Sequence, residues 1–324
     1  MITIRKPQFF SEIGRKDNQE DYLYPATADC STRVFILCDG MGGHDNGEVA
    51  SRTAANALGK YLDKYTLNGD SIDESIFLDA LDKAYDALDG IDTQSDKKPG
   101  TTMTCLCLNE DNYLVAHIGD SRIYHIRPSL YNAETKRGGI LYQSSDHSLV
   151  NDLLKAGELS EEEARDFPQK NIITRAMQPH LAKRYKADIY TFDDIMSGDY
   201  FFLCCDGVLE QLSNEKLCEI LASSNLSDSQ KINEIKAVCD GLTKDNYTCW
   251  LIPIDKVTHD GKSNRGNGNI IHADFVEDDN ESQKPKKKLL SKCRHFFRSI
   301  KKYLIFILPV IILLIIGGYI YFRM

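Results

Sequence analysis

The sequence has little of what marks several common protein classes. Its ten cysteines form no CxxC pair and no His/Cys spacing typical of a metal site, so neither a zinc site nor a disulfide framework is expected. No segment repeats at the period of a solenoid, and no apolar stretch near Met1 suggests a signal peptide. Four cysteines stand within apolar runs and are expected to be small core residues: Cys105, Cys107, Cys204 and Cys205.

Basic charge is also scarce over most of the chain. Residues 1–283 contain 29 Lys and Arg against 48 Asp and Glu. Because a protein that binds nucleic acid needs a basic surface, we expect no nucleic-acid partner. The other basic residues are concentrated near one place, since nine lie between Lys284 and Lys302, a stretch without any acid.

A long uncharged segment follows that basic cluster. Residues 303–322 carry no charge, and 20 residues at about 1.5 Å each match a hydrocarbon core of roughly 30 Å. We therefore predict one C-terminal transmembrane helix rather than a buried core helix. The bases that precede the helix predict a single-pass, tail-anchored membrane protein whose N-terminal bulk is cytoplasmic.

Residues 257–302 are predicted to be a polar linker. The stretch HDGKSNRGNGN is turn-rich and the stretch VEDDNES is acidic, so neither buries enough apolar surface to fold alone. The basic end of the linker forms either an amphipathic helix on the inner leaflet or a plain solvated cluster beside the membrane.

Residues 1–256 alternate strand-like and helix-like segments. Strands are predicted for runs rich in β-branched and aromatic residues, namely VFILC, TTMTCLCL, YLVAHI, RIYHI, YFFLCC and YTCWLIPI. Helices are predicted for GEVASRTAANALGKYLDKY, SIFLDALDKAYDALDGI and EKLCEILASS from the spacing of their apolar residues. The stretch YLVAHIGDSRIYHI turns at Gly119 and Asp120 and is predicted to be an antiparallel hairpin. Together these patterns predict an α+β fold with antiparallel sheets and helices packed outside.

An apolar strand that runs into Asp-Gly occurs twice, at Asp39-Gly40 and at Asp206-Gly207. A strand end holds a side chain rigidly, and glycine lets its backbone and carbonyl approach a ligand closely. Further carboxylates that could join this set are Glu20, Asp21, Asp120 and Asp245. Carboxylates are hard oxygen ligands suited to Mg²⁺ or Mn²⁺, and burying several without cations would be costly. The set therefore predicts a divalent-metal site.

The chain resembles the metal-dependent protein phosphatases, the PPM or type 2C serine/threonine phosphatases. Eight short motifs fall in the family's order over roughly residues 3–256: GRKDNQED, CDGMGGHDNGEVAS, GTTMTCLCL, IGDSRIYHI, DHSLVNDLLKAGELSEEEA, NIITRAM, CCDGVLEQL and KDNYT. The resemblance implies a phosphatase domain at residues 1–256, built as a four-layer α-β-β-α sandwich of two antiparallel sheets flanked by helices. It also implies phosphoserine or phosphothreonine proteins as substrates and a serine/threonine kinase as a functional partner.

The resemblance further implies roles for the carboxylates. By similarity, one Mg²⁺ or Mn²⁺ ion would be held by Asp39, Gly40 and Glu20 or Asp21, a second by Asp39, Asp206 and Asp245, and a third, weaker ion by Asp120. Glu210 stands where some relatives have an acid near that third ion, and a surface role for it is equally open. Two cations about 3.5–4 Å apart activate a bridging hydroxide that attacks phosphorus in line.

Two positions depart from the family's pattern. Where the family usually has the arginine that holds phosphate, this sequence has Lys16, with Arg15 one residue earlier. Either is a candidate for the phosphate contact, although lysine is a point charge and arginine binds phosphate with two parallel bonds. Where some relatives have a histidine proposed as general acid, this chain has Met41; His44 in the same turn is a candidate acid or a structural residue.

Residues 146–178 resemble the family's flap beside the cleft and read as two short helices broken at Gly157. The alternative is an ordinary helical insertion; a flap would select substrate and move.

Two other classes of function stay open. One is a catalytically inactive, membrane-anchored module that binds phosphoproteins, and the other is a metal-dependent hydrolase of small phosphoesters.

Truncation tests the predicted anchor. We expect a chain that ends at Lys256 to be soluble and active, because the apolar segment at 303–322 and its basic flank are then gone. The full chain should stay in the membrane fraction during carbonate extraction, and protease added outside intact cells should leave residues 1–256 uncut. Release of the full chain by carbonate would contradict the anchor, and digestion from outside would reverse the topology.

Overall fold

Two antiparallel sheets form the centre of the protein in a computed structural model, which describes residues 1–42, 46–91, 99–165, 167, 169 and 172–258. The strands in chain order are β1 (Ile2–Ile4), β2 (Gln8–Glu12), β3 (Asp21–Tyr24), β4 (Val34–Met41), β5 (Gly100–Thr101), β6 (Met103–Leu108), β7 (Tyr113–Ile118), β8 (Arg122–Ile126), β9 (Ile140–Gln143), β10 (Asp188–Phe192), β11 (Tyr200–Cys204) and β12 (Tyr247–Val257). The first sheet has the order β1-β12-β11-β8-β9, with β2 also paired to β12. The second sheet has the order β10-β7-β6-β4-β3, with β5 also paired to β4.

The helices lie outside the sheets. They are α1 (Asn46–Asn68), α2 (Glu74–Asp89), α3 (Leu149–Lys155), α4 (Glu161–Arg165), α5 (Asp206–Leu209), α6 (Asn214–Ala222) and α7 (Asp228–Cys239). Polar N-caps fix several starts; the side chains of Asp73, Ser148, Ser213 and Ser227 each accept a backbone N–H from the first turn. The predicted break at Gly157 is confirmed, since this glycine has a φ of +68° and lies between α3 and α4.

Strand β4 shows how the layers are held together. Phe35 and Leu37 belong to the core between the sheets, whereas Val34, Ile36 and Cys38 belong to a second core with α1 and α2. Successive side chains of a strand point to opposite faces, so a strand that is covered on both faces is apolar at every position. Helices α6 and α7 contribute to the core of the first sheet, and the predicted pair of antiparallel sheets flanked by helices is confirmed.

The predicted hairpin at YLVAHIGDSRIYHI is wrong. Strand β7 pairs with β6 and β10 in the second sheet, whereas β8 pairs with β9 and β11 in the first. The turn through Gly119, which has a φ of +107°, therefore carries the chain from one sheet to the other. Both strands are buried along almost their whole length, so each finds its neighbours inside its own sheet.

The two ends of the described part meet at β1 and β12. Ile2 is paired with Val257, and the amino group of Met1 donates to the carbonyl oxygen of Thr258 over 2.6 Å. The chain divides into two units, Met1–Ala273 and Asp274–Met324, and the described residues all belong to the first. No helix within the described ranges is long and apolar enough to span a membrane. The predicted span at 303–322 and all but the first two residues of the linker lie outside those ranges, and the domain boundaries stay predictions.

Candidate active site

The site begins with two acids that face each other across neighbouring strands. Asp21 on β3 is in register with Asp39 on β4, and side chains directly opposite in such a pair lie close together. A ligand atom from each of Asp21, Asp39 and Cys205 falls within 4.8 Å of the other two. Neither carboxyl oxygen of Asp21 has a hydrogen-bond partner among the described residues, although both are buried.

Two more acids reach the same place from the first sheet. Asp206 opens α5 and is separated from the end of β11 by one residue, and Asp245 precedes the first residue of β12 by two positions. Because β11 and β12 are paired neighbours, their adjoining ends bring the two carboxylates to one edge. The close approach depends on Gly207, where a Cβ would lie only 2.0 Å from the carbonyl oxygen of Asn246.

Burial and mutual repulsion raise the pKa values of Asp21, Asp39, Asp120 and Asp206. Burial, followed by the charges of Asp21 and Asp206, raises the pKa of Asp39 well above its ordinary value. Burial also raises the pKa of Asp21 and that of Asp120 to about 7. For Asp206, burial and the charge of Asp245 raise the pKa, and a hydrogen bond with Asp39 offsets part of the rise.

These observations fit a site for divalent cations. Ionised carboxylates that are buried without partners cost free energy unless a cation balances them, and hard oxygen donors are what Mg²⁺ and Mn²⁺ prefer. The unpartnered oxygens of Asp21 and Asp120 and the raised pKa values of the cluster are the signs of such a donor set.

The backbone around Gly40 is closely packed and leaves no room for a side chain at this position. Its N–H donates to the carbonyl oxygen of Glu20 over 3.1 Å, and a Cβ there would lie 2.3 Å from the carbonyl oxygen of Gly47. The hydroxyl of Ser51 donates to the same Glu20 carbonyl over 2.6 Å. Glu20 and Gly40 thus lie beside Asp39 and the start of α1, and their part in metal binding stays a prediction.

Sequence reasoning gave no role to Asn246, which ties the loop before β3 to the start of β12. Its side-chain oxygen accepts the N–H of Glu20 over 2.8 Å, and its amide donates to the carbonyl oxygens of Ile13 and Asn18 over 2.8 and 2.9 Å. Asn246 follows the predicted ligand Asp245 within the motif KDNYT, but its partners lie more than 200 residues away. That separation leaves no local signal in the sequence.

A second missed group holds the main chain of Asp39. The hydroxyl of Thr102 accepts the N–H of Asp39 over 2.9 Å and lies 2.8 Å from the hydroxyl of Ser121. Thr102 also donates its own N–H to the carbonyl oxygen of Asp39 over 2.9 Å. The residue stands in the motif GTTMTCLCL, which the sequence identified as a strand and not as part of the site.

The two candidate phosphate contacts point in different directions. Lys16 forms an ion pair of 2.9 Å with Asp245. Burial opposes its charge, but the bond to Asp245 and the charge of Glu20 raise the pKa of Lys16 above its ordinary value. Arg15 instead donates to the carbonyl oxygen of Gly241 over 2.7 Å in an exposed position. Lys16 therefore lies against the acid cluster and Arg15 does not contact it in this conformation.

The remaining candidates are less central. Asp120 has one buried carboxyl oxygen without a partner among the described residues and interacts electrostatically with Asp206. Glu210 is exposed and accepts the N–H of Lys244 over 3.0 Å, which gives it a structural contact at the loop before Asp245. His44 lies outside the described residues.

Comparisons with known proteins agree with this geometry. The family model described as protein phosphatase 2C matches residues 11–245. The chain is 35% identical over 217 residues to protein phosphatase PhpP of Streptococcus pneumoniae, which covers 66% of this chain and 82% of the relative. It is 31% identical over 252 residues to a putative protein phosphatase 2C-type of Streptococcus pyogenes, with 75% and 94% covered.

Solved structures show the same fold. The serine/threonine phosphatase Stp1 of Staphylococcus aureus has a TM-score of 0.61 at 28% identity, over 78% of this chain and 96% of that one. A catalytic domain of PstP, solved in complex with two manganese ions, has a TM-score of 0.62 at 24% identity, over 79% and 100%. The matched region includes every predicted metal ligand, and this chain belongs to the protein phosphatase 2C (PPM) family of serine/threonine phosphatases.

Proposed function

We propose that this chain removes phosphate from phosphoserine and phosphothreonine in proteins with the help of two divalent cations, Mg²⁺ or Mn²⁺, at the acid cluster. The observation that carries the proposal is the convergence of four acids from two sheets, Asp21, Asp39, Asp206 and Asp245. The pKa values of the first three are raised above their ordinary values. Family membership supports the same reading, and so does the pair of manganese ions reported for the PstP catalytic domain.

Each acid has a proposed part in holding the cations. Asp39 would contribute to both groups of ligands, with the Gly40 carbonyl and Glu20 or Asp21 in one group and Asp206 and Asp245 in the other. Asp120 would serve a third, weaker ion. When bound, two such cations supply an activated water nucleophile and neutralise charge on the phosphoryl oxygens.

The protein's own groups prepare this reaction. Thr102 holds the backbone of Asp39 on both its N–H and its carbonyl side, and Asn246 holds the loop that carries Glu20. Pre-organised ligands of this kind do not have to move when charge develops on the substrate. Burial raises the pKa of the Cys205 thiol well above its ordinary value, so the nearest cysteine is a protonated thiol and not a nucleophile.

Lys16 is the proposed phosphate contact. Its ammonium group lies beside Asp245 and therefore next to the place where the cluster would hold a substrate phosphoryl group. When cations balance the acids, Asp245 no longer needs the ion pair, and the ammonium group becomes free to attract phosphate. Arg15 would assist only after leaving its contact with the Gly241 carbonyl.

The substrates proposed here are phosphoproteins at a membrane. The support is the uncharged segment 303–322 and the nine bases between Lys284 and Lys302, which favour anionic lipid by roughly 1 kcal/mol per base near the surface. A flexible tether of about 45 residues has a root-mean-square reach of about 35–40 Å. An anchored phosphatase would thus work within a thin cytoplasmic layer, together with a cognate kinase.

Substitution of a single acid tests the two-cation proposal. We expect Asp39→Asn, Asp206→Asn or Asp245→Asn to lower kcat on a phosphothreonine peptide at least ~10²-fold, comparable to the loss of one strong electrostatic contributor. EDTA should abolish wild-type activity, and Mn²⁺ or Mg²⁺ should restore it. Asp79→Asn, an exposed acid on α2, is the matched control and should keep wild-type kinetics. Full activity in Asp39→Asn would overturn the proposal, and a preference for small phosphoesters would change its substrate class.

The pH dependence of stability tests the same cluster without catalysis. Asp21 and Asp120 have folded-state pKa values of about 7 in the absence of cations, against about 4 in an unfolded chain. The folded state therefore binds more protons, and their contribution to stability is lost as pH rises from about 4 to about 7. In EDTA, Asp21→Asn should gain stability relative to wild type over this range by urea denaturation. Saturating Mn²⁺ should reverse the difference, and parallel curves would show that Asp21 is not strained by burial.

Whether Lys16 or Arg15 contacts the substrate phosphate is also testable. We expect Lys16→Ala to raise the KM for a phosphopeptide about tenfold or more, as for loss of a charged hydrogen bond of about 1.5–3 kcal/mol. Lys16→Arg should keep most of the affinity, and Arg15→Ala should be mild. Steady-state kinetics at saturating Mn²⁺ measure kcat and KM for each variant. A large effect of Arg15→Ala with a normal Lys16→Ala would reverse the assignment.

A further inference from the structure

A buried histidine forms two hydrogen bonds with the turn that crosses between the two sheets. The N–H of Gly119 donates to Nδ1 of His147 over 3.1 Å, and the N–H of His147 donates to the carbonyl oxygen of Gly119 over 2.9 Å. One residue thereby satisfies both polar backbone groups of Gly119. His147 is 2% exposed, so solvent does not replace either bond.

A neighbouring acid fixes the orientation of the ring. Because Nδ1 of His147 accepts a hydrogen bond, the proton of the neutral ring must be on Nε2, which lies 3.2 Å from Oδ2 of Asp188. Burial, with the neighbouring His117, lowers the pKa of His147 to about 4, so the ring is neutral near pH 7. Burial opposes ionisation of Asp188, but the bond to His147 holds the pKa of that carboxyl below its ordinary value.

The same side chains do not form a metal site, although His117, His147 and Asp188 offer ligand atoms within 4.8 Å of one another. The guanidinium group of Arg175 already lies 3.2 Å from Nε2 of His147 and 3.2 Å from Oδ1 of Asp188. In addition, the neutral ring of His147 has a single lone pair, and Gly119 uses it. The arrangement is therefore a hydrogen-bonded chain from Asp188 through His147 to Gly119.

The series of hydrogen bonds from Asp188 through His147 ends next to a proposed metal ligand. Gly119 precedes Asp120, and it cannot be replaced by a larger residue, since a Cβ would lie 2.6 Å from the side chain of Thr102. The carbonyl oxygen of His147 also accepts the N–H of Thr174 over 2.8 Å, on the segment that returns from α4. His147 thus joins the turn of Asp120 to the base of the α3–α4 region.

We propose that His147, oriented by Asp188, is a positioning residue that holds the turn at Gly119 so that Asp120 is placed to bind a divalent cation. The inference rests on the proposed function, because it takes Asp120 as a ligand. Outer groups that orient a ligand typically change metal affinity or activity 10–100-fold when they are removed. Here the effect passes through the main chain of Gly119 and not through the ligand's own carboxyl group.

The test measures Mn²⁺ binding to the full chain by calorimetry, alongside the Mn²⁺ concentration that gives half-maximal activity. His147→Leu should weaken binding of the Asp120-dependent ion about 10–100-fold and raise the activation midpoint. His147→Asn, whose carbonyl can replace Nδ1 as acceptor, should recover most of the affinity. Asp188→Ala should weaken binding, and Asp188→Asn, which keeps an acceptor for Nε2–H, should be milder.

The chain offers a matched control in His125. It is also buried, it pairs through Nε2 with Asp199 over 2.9 Å, and its Nδ1 contacts Tyr113 rather than a turn of the site. His125→Leu should cost stability in thermal denaturation while leaving Mn²⁺ binding at the wild-type affinity. An equal loss of Mn²⁺ affinity in His125→Leu, or an unchanged affinity in folded His147→Leu, overturns the proposal. If His147→Leu fails to fold, Asp188→Ala decides, and normal Mn²⁺ binding in that variant also overturns it.

Asp120→Asn and Asp39→Asn separate this inference from the proposed function. If Asp120→Asn binds Mn²⁺ like wild type while Asp39→Asn does not, the two-cation function stands and the positioning role is wrong. If neither substitution alters Mn²⁺ binding, the proposed function itself fails. Loss of one ion in both Asp120→Asn and His147→Leu, with no further loss in the double variant, is the expected result.

Discussion

Repulsion between acids that are brought together at one end of two sheets is the constraint on which the rest of this structure depends. Asp21 and Asp39 face each other across paired strands, and Asp206 and Asp245 approach from the other sheet. Burial increases the cost, as the raised carboxyl pKa values show. Such a cluster is compatible with a stable fold only when protons, nearby cationic side chains or bound cations balance it.

The neutral groups around the cluster fix the positions of the acids rather than balance their charge. Thr102 holds the main chain of Asp39, Asn246 holds that of Glu20, and His147 holds that of Gly119. These contacts use backbone N–H groups, so the carboxyl oxygens stay available for ligands. The fold therefore separates two tasks, because uncharged side chains fix the positions of the acids and the acids themselves carry the charge.

Much of the site follows from local sequence. Asp39 and Asp206 each follow an apolar run, and the following glycine permits a close backbone approach, so the sequence alone predicts both as strand-end ligands. The pairing of Asp21 with Asp39 depends on the register of β3, a short strand that the sequence did not reveal. Local pattern also made the turn at Gly119 look like a hairpin, because a short Gly-Asp turn between two apolar strands does not say whether they share a sheet.

Contacts between distant parts of the chain set the remainder. The ion pair of Lys16 with Asp245 and the bonds of Asn246 join residues more than 220 positions apart. Neither composition nor periodicity records such pairs. The sequence could therefore place Arg15 and Lys16 near the site together, but the fold was needed to show which of them contacts the acids.

The meeting of β1 with the end of β12 has a consequence for the connectivity of the domain. Since the amino group of Met1 lies 2.6 Å from the carbonyl oxygen of Thr258, a short loop could join the two ends. Domains with adjoining ends tolerate circular permutation. New ends opened at the exposed turn Glu110–Asp111, between β6 and β7, would leave every strand intact and both halves of the acid cluster in one chain.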